Sequence, residues 1–348
     1  MAEIDLSGID ISQFPQEIGA DHPDLAKLRE ACEEWGFFRV VNHGMPPDLI
    51  GKVVSVTQDL LSMPVELKDT VTTSNPMESY LRFPNFEVFY LVGMPNPRSI
   101  QEICEKIWPE GNSNFWYVIF LLPSLSCSML CVTNRFFLEL FYSEAVGKFT
   151  LFQSNLWSKI IKIVLASLGL DARKFYQSDF EKCTAKFHIN GYPSQGKRIG
   201  DVVLPCHGDV NCMTILYNDE NAGLQVRSKE GEWFNVKPQP DSFVVNIGDC
   251  LRAWSNGRYR SADHRVIYTG WKHRISLPYS INFPHHTQIY APEELVDEDN
   301  PRRYKPFTFS ELLHEVATYQ GDAEVAKGVE RLAGTSSKGT HNDFKYYN

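Results

Sequence analysis

The stretch that decides the fold is LPCHGDVNCMTIL, residues 204–216, in which apolar runs surround the polar triplet HGD. If the whole stretch is one strand, His207 and Asp209 are two positions apart and point to the same face. An imidazole and a carboxylate would then converge on one point, where they could bind a metal. The triplet alone is weak evidence, because H-x-D also arises by chance on a solvated strand.

Short segments rich in β-branched and aromatic residues surround this stretch from residue 183 onward. They are CTAKFHINGY, AGLQV, EWFNVK, DSFVVNIGD, HRVIYTG and HRISLPYSINF, separated by Gly, Asp, Asn and Pro. Many short strands at close spacing predict an antiparallel sandwich or barrel. Helical patterns precede and follow them, in PDLAKLREACEEWG, PPDLIGKVVSVTQDLLS, LWSKIIKIVLASLGL and FTFSELLHEVATYQG. We therefore predict an α+β fold with one β core between helical regions.

Composition excludes several classes of protein. The 348 residues are 43% hydrophobic and 22% charged, which suits a globular chain with a sizeable core. The net charge of −9 argues against a nucleic-acid partner. The eight cysteines form no CxxC pair, so reduced thiols are expected, and MAEIDLSGIDISQF lacks the pattern of a secretory signal. We expect a cytoplasmic monomer without a membrane partner.

Three further groups of residues complete a candidate site. Iron(II) oxygenases bind their metal through two histidines and one carboxylate and leave the other positions open. His264, in SNGRYRSADHRV, could supply the third ligand from another strand. Arg274 and Ser276 share one face of HRISLPYS, and a guanidinium fork matches a carboxylate. Asn190 and Tyr192 likewise share one face of FHINGYP, where the phenol could donate a further hydrogen bond.

Together these motifs resemble the plant-type soluble dioxygenases that use iron(II) and 2-oxoglutarate. WGFFRVVNHGMP, DSFVVNIGDCLRAWSNGRYRSADHRV and APEELVDEDNPRRYKPFTFSELL are similar to the amino-terminal, central and carboxy-terminal blocks of that family. The resemblance covers about 24–100 and 156–334. Within the family, AWSNGR and ELVDEDNPRRYKPF most resemble the auxin-oxidising branch.

The resemblance implies a double-stranded β-helix, or jelly roll, with helices on both chain ends. It implies that the metal ligands, which are also the catalytic residues, are His207, Asp209 and His264. It implies that the 2-oxoglutarate contacts are Arg274, Ser276, Tyr192 and Asn190. The implied cofactors are Fe(II), 2-oxoglutarate and O2, with ascorbate as an optional addition. Such an enzyme hydroxylates or desaturates a small molecule, such as the plant hormone auxin, and releases succinate and carbon dioxide.

Several alternatives stay open at this point. A gibberellin, flavonoid or alkaloid oxidase, an iron oxidase that works without 2-oxoglutarate, and a catalytically impaired member that only binds ligand share most of these motifs. A zinc hydrolase would not need Arg274 and Ser276. The substrate is expected to be a small, largely apolar acid. Arg252 is a candidate partner for its carboxylate, but a surface arginine is the favoured interpretation of that residue. His188 is predicted to face away from Tyr192.

The stretch 115–155 departs from the family, because FWYVIFLLPSLSCSMLCVTNRFFLELFY replaces the usual charged helix. It reads either as an intron-derived insertion or as a divergent buried helix, and we predict that it packs poorly. The predicted organisation is an N-terminal helical region, this atypical segment, a jelly-roll core, C-terminal helices and a flexible tail. The corresponding ranges are 1–110, 111–155, 156–300, 301–334 and 335–348.

Overall fold

The computed structural model describes residues 2–15, 17–19, 22–71, 80–94, 106, 145–319 and 328–335. The strands are β1 (Glu3–Ile4), β2 (Gly8–Asp10), β3 (Phe37–Val41), β4 (Tyr80–Arg82), β5 (Glu87–Met94), β6 (Thr184–Pro193), β7 (Val202–His207), β8 (Met213–Asn218), β9 (Leu224–Arg227), β10 (Trp233–Val236), β11 (Phe243–Ile247), β12 (His264–Ile267), β13 (His273–Asn282), β14 (Gln288–Ile289) and β15 (Phe307–Thr308). The helices are α1 (Asp24–Glu34), α2 (Pro47–Leu61), α3 (Val65–Asp69), α4 (Ala145–Ser167), α5 (Ala172–Phe175), α6 (Asp249–Trp254), α7 (Phe309–Thr318) and α8 (Gly328–Ala333).

Two sheets form the centre of the fold. The major sheet has eight strands in the order β2-β3-β11-β8-β13-β6-β5-β4, and the minor sheet has five in the order β1-β10-β9-β12-β7. Pairing is antiparallel except where β1 meets β10 and β2 meets β3. Apolar side chains from both sheets pack into one cluster, which includes Phe37 and Val244 of the major sheet and Val226 of the minor sheet. The predicted β sandwich between helical regions is therefore present.

The long helix α4 covers the outer face of the major sheet. Its Phe149 is fully buried and lies against Phe187 of β6 and Phe243 of β11, at ring-centroid distances of 5.6 and 6.3 Å. The helix begins at Ala145, whereas the sequence pattern placed its start near residue 156. The early turns were missed because α4 is buried on several sides and so lacks a clean polar face.

The described part of the atypical segment is well packed. Val146, Phe149 and Thr150 are buried in α4, and the Thr150 hydroxyl donates to the Val146 carbonyl. The prediction that the segment packs poorly is therefore wrong for residues 145–155. Residues 115–144 lie outside the described ranges, and for them it stays a prediction. Across the described ranges, no helix combines the length and the apolar character needed to cross a bilayer.

The opening stretch is two strands rather than one. Strand β7 ends at His207 in the minor sheet, and β8 begins at Met213 in the major sheet. The loop between them is held by backbone hydrogen bonds to other parts of the chain. The Cys212 amide donates to the Ile281 carbonyl, and the Asp249 amide donates to the Asp209 carbonyl. The prediction that one strand carries both polar residues is therefore wrong. Alternation along a sequence cannot reveal that a chain changes sheets.

The predicted C-terminal helices are present as α7 and α8. Thr308 and Glu311 form a capping box at the start of α7. Helix α8 is attached to α6 by an ion pair between Glu330 and Arg252, and the Tyr304 hydroxyl also donates to Glu330 at 2.9 Å. Arg252 is therefore paired within the protein rather than available to a substrate carboxylate. The tail from residue 336 lies outside the described ranges.

Candidate active site

Three side chains converge where the two sheets meet. His207 ends β7, His264 begins β12, and these two residues are direct partners in the antiparallel pairing of those strands. Asp209 lies in the loop that leaves β7. Its Oδ1 is 4.0 Å from Nε2 of His207 and 3.9 Å from Nε2 of His264. One donor atom from each residue falls within 4.8 Å of the other two, which is compact enough to hold one metal ion.

The hydrogen bonds of both imidazoles favour metal binding. Nδ1 of His207 lies 2.8 Å from the Pro205 carbonyl oxygen, and Nδ1 of His264 lies 3.3 Å from that of Ala262. A carbonyl accepts, so each Nδ1 carries the proton and each Nε2 presents a lone pair to the centre. Burial and the neighbouring His207 lower the pKa of His264 to about 4, which keeps this ring neutral near pH 7.

The Asp209 carboxylate is oriented by two residues of the major sheet that the sequence analysis did not identify. The Thr214 hydroxyl donates to Oδ2 at 2.6 Å, and the Asn246 amide donates to the same oxygen at 2.8 Å. Oδ1 is thereby directed toward the two histidines. Burial would raise the pKa of Asp209, but His264, His207 and these two hydrogen bonds outweigh burial and hold that pKa below its ordinary value. Thr214 lies five positions after Asp209 within the opening stretch.

The centre is open on one side. The side chain of His207 is 38% exposed, whereas that of His264 is 10% exposed. A metal held by these residues would therefore be approached from the β7 edge of the minor sheet. Such a facial set of two histidines and one carboxylate leaves coordination positions for further ligands.

The four residues predicted to bind 2-oxoglutarate lie together on one face of the major sheet, which is called the cleft face below. Strands β6 and β13 pair Tyr192 with Arg274 and Asn190 with Ser276. The Asn190 amide donates to the Ser276 hydroxyl at 3.3 Å, and the Tyr192 hydroxyl lies 3.3 Å from the same oxygen. These two residue pairs are two positions apart on the same face of the sheet, and they bring two hydroxyls and a guanidinium close together.

Arg274 is a buried cation with donors that lack partners. It is 1% exposed, and its Nη2 donates to Oδ1 of Asn218 at 2.8 Å. Its guanidinium carbon lies 4.7 Å from the ring centroid of Tyr192 and 5.8 Å from that of Trp271. Within the described part of the chain, Nε and Nη1 have no hydrogen-bond acceptor. A buried charge in this state is costly, and a ligand carboxylate would satisfy it.

Comparisons with known proteins agree with this geometry. A model of the 2OG-Fe(II) oxygenase superfamily matches residues 180–283, and a model for the non-haem dioxygenase in morphine synthesis N-terminal region matches residues 6–90. Jasmonate-induced oxygenase 2 of Arabidopsis thaliana is 32% identical over 335 residues, which cover 92% of this chain and 81% of that protein. This chain belongs to the 2-oxoglutarate- and iron(II)-dependent oxygenase family. It is a dioxygenase whose cofactors are Fe(II) and 2-oxoglutarate.

Solved structures of this family share the whole architecture. The crystal structure of the dioxygenase for auxin oxidation in rice matches with a TM-score of 0.74 and 28% identity, over 95% of this chain and 100% of that one. A complex of JOX2 with 2OG, Fe and JA matches with a TM-score of 0.71 and 26% identity, over 96% and 90% of the two chains. The predicted α+β fold with a jelly-roll core is confirmed, as is the resemblance to auxin-oxidising members.

His188 lies on the face opposite to the predicted one. It stands four positions before Tyr192 on β6, so both residues point to the cleft side of the major sheet. Its ring meets that of Tyr90 on β5 edge-to-face, at a centroid distance of 4.8 Å. The negative charge of Asp209 also reaches His188, and it opposes the lowering of the His188 pKa. The prediction is wrong because side chains separated by an even number of positions point to the same face of a strand.

Proposed function

We propose that this oxygenase oxidises a small organic acid of the plant-hormone class, with auxin as the first candidate. In this proposal His207, Asp209 and His264 hold Fe(II), and Arg274 binds the distal carboxylate of 2-oxoglutarate. The observation that carries the proposal is the pair of unpartnered donors of Arg274. Arg274 lies on the face of β13 that also carries Ser280, and the Ser280 hydroxyl is 3.3 Å from that of Thr214, which donates to the ligand Asp209. A zinc hydrolase would have no use for this cation.

Each side chain has a defined task in this proposal. The Ser276 and Tyr192 hydroxyls donate to the distal carboxylate beside Arg274, and the Asn190 amide fixes the Ser276 hydroxyl. Thr214 and Asn246 keep one Asp209 oxygen directed at the metal. Bound Fe(II) and 2-oxoglutarate activate O2 and couple release of succinate and carbon dioxide to substrate oxidation. The protein orients the reactants and limits the access of water to them.

The substrate class rests on two relatives. The rice protein is named for auxin oxidation, and the JOX2 complex contains JA. A gibberellin oxidase is a second candidate, because Gibberellin 20-oxidase-like protein of Arabidopsis thaliana is 31% identical over 78% of this chain. We also retain as proposals a cytoplasmic location, a monomeric state and the division of the chain at residues 110, 155, 300 and 334.

Cosubstrate binding is tested by adding Fe(II) and then 2-oxoglutarate to the purified protein without oxygen. We expect a metal-to-ligand charge-transfer absorption band that is absent with either addition alone. Arg274→Ala should weaken 2-oxoglutarate binding at least about 10-fold, since it removes a charge-assisted contact. Fe(II) binding to this variant should be unchanged. Equal 2-oxoglutarate affinity in the variant and the wild type would refute the role of Arg274.

Turnover is tested by measuring succinate with auxin, jasmonate or a gibberellin present. The proposal predicts that auxin stimulates succinate formation above the rate seen without any substrate, and that mass spectrometry finds an auxin product one oxygen heavier. Stimulation by a gibberellin alone would favour the second candidate. A clear charge-transfer band with no turnover of any substrate would support a member that only binds ligand.

A further inference from the structure

His188 is a partly buried residue on the same face of β6 as Asn190 and Tyr192. Its Nε2 is shielded from solvent, and within the described residues it has no hydrogen-bond partner. The ring of Tyr90 packs edge-to-face against the imidazole at a centroid distance of 4.8 Å. An unsatisfied buried polar atom of this kind costs stability. A packing role alone would be served better by Phe or Leu.

The position of His188 separates it from the 2-oxoglutarate contacts. Along β6 it precedes Asn190, and on β13 the registers of the flanking residues place it opposite Pro278. Its other neighbour across the ladder is Tyr90 of β5. This rung lies between those of Ser276 and Ser280, so it is displaced from Arg274 toward Ser280, whose hydroxyl is 3.3 Å from that of Thr214. The negative charge of Asp209 acts to raise the pKa of His188, so the two side chains interact electrostatically.

The surroundings of His188 favour an anionic group. Lys186 shares its strand face, and the ammonium nitrogen of Lys186 lies 5.3 Å from the ring centroid of Tyr90. Burial, followed by the charge of Lys186, lowers the pKa of His188 to about 3, so the ring is neutral and has one N–H to donate. A carboxylate could accept that N–H while the nearby ammonium offsets its charge.

We propose that His188 donates a hydrogen bond to the carboxylate of the primary substrate and thereby selects acids over their neutral derivatives. This inference rests on the proposed function, since it assigns the recognition of the acid to one residue of the same cleft. It adds a specificity residue that belongs neither to the metal ligands nor to the 2-oxoglutarate contacts. Arg252, the earlier candidate for this role, is paired with Glu330.

The test compares auxin with auxin methyl ester in wild-type protein, His188→Phe and His188→Gln. Phe keeps the ring and its contact with Tyr90, and Gln keeps a donor. We expect His188→Phe to raise KM for auxin about 10-fold or more, because a hydrogen bond to a charged group is lost. KM for the ester should change little, and His188→Gln should restore part of the preference for the acid.

Two controls show that each variant is folded and loaded. The charge-transfer band and the KM for 2-oxoglutarate should match those of the wild type, as should succinate formation in the absence of substrate. If the wild type oxidises auxin and His188→Phe keeps the full preference for acid over ester, the assignment of His188 is wrong while the proposed function stands. If the wild type oxidises neither compound, auxin is not the substrate, and the acid–ester comparison is made with jasmonate or the gibberellin. Failure with all three acids overturns both the proposed function and this inference.

Discussion

The two sheets contribute to the site in different ways. The minor sheet supplies both imidazoles, from the paired strands β7 and β12, and backbone carbonyls orient them. The major sheet supplies the side-chain hydrogen bonds to Asp209 and the cluster around Arg274. Helix α4 and its neighbours cover the outer face of the major sheet. The orientation of the metal-binding imidazoles thus depends on local backbone geometry. Recognition of 2-oxoglutarate depends instead on the major sheet, whose outer face packs against α4.

The largest effect is expected in α4, which packs on the outer face of the major sheet. Phe149→Ala would remove a fully buried ring that packs on β6 and β11, and we expect a loss of about 3–5 kcal/mol in the free energy of unfolding. Urea denaturation measures it. Leu151→Ala is the matched control, since Leu151 lies in the same helix and is 42% exposed. Similar losses for both variants would contradict the description of α4 as the layer that supports this sheet.

A smaller effect is expected where the major sheet reaches the metal site. Asn246→Ala would remove the 2.8 Å hydrogen bond to Asp209, and iron affinity should fall about 10–100-fold, as is usual for groups that orient a ligand. Anaerobic titration with Fe(II) measures it. Asn218→Ala serves as the comparison, because Asn218 contacts Arg274 and its loss should weaken 2-oxoglutarate binding instead. Unchanged iron affinity in Asn246→Ala would show that the carboxylate is oriented without this residue.

The smallest effect is expected in the connection between β9 and β10 of the minor sheet. Lys229, beyond the end of β9, pairs with Glu34 of α1 at 2.7 Å, and both side chains are about half exposed. Glu34→Gln should cost less than about 1 kcal/mol in the free energy of unfolding, because solvent screens exposed pairs. Glu33→Gln makes the same charge change one residue earlier, outside that pair. A loss in Glu34→Gln comparable to that of Phe149→Ala would overturn the view that the minor sheet needs little support from helices.

Sequence patterns were most informative where function requires particular residue types at short spacing. Arg274 with Ser276 and Asn190 with Tyr192 are i, i+2 pairs within single strands, and the structure keeps both pairs on one face. His207 and Asp209 were correctly predicted to converge, although for the wrong reason, because they belong to a strand end and a loop. Alternation is reliable only while a chain stays in one sheet.

What the sequence determined by itself was the β core between helices, the family and the residues that converge at the site, since these depend on local periodicity and motif spacing. Only the tertiary structure decided that Thr214 and Asn246 orient Asp209 and that Arg252 is paired with Glu330. It also decided that Nε2 of His188 has no hydrogen-bond partner among the described residues. The physical reason is that hydrogen-bond satisfaction depends on which strands become neighbours. That information is distributed over the whole chain and is absent from any short stretch of it.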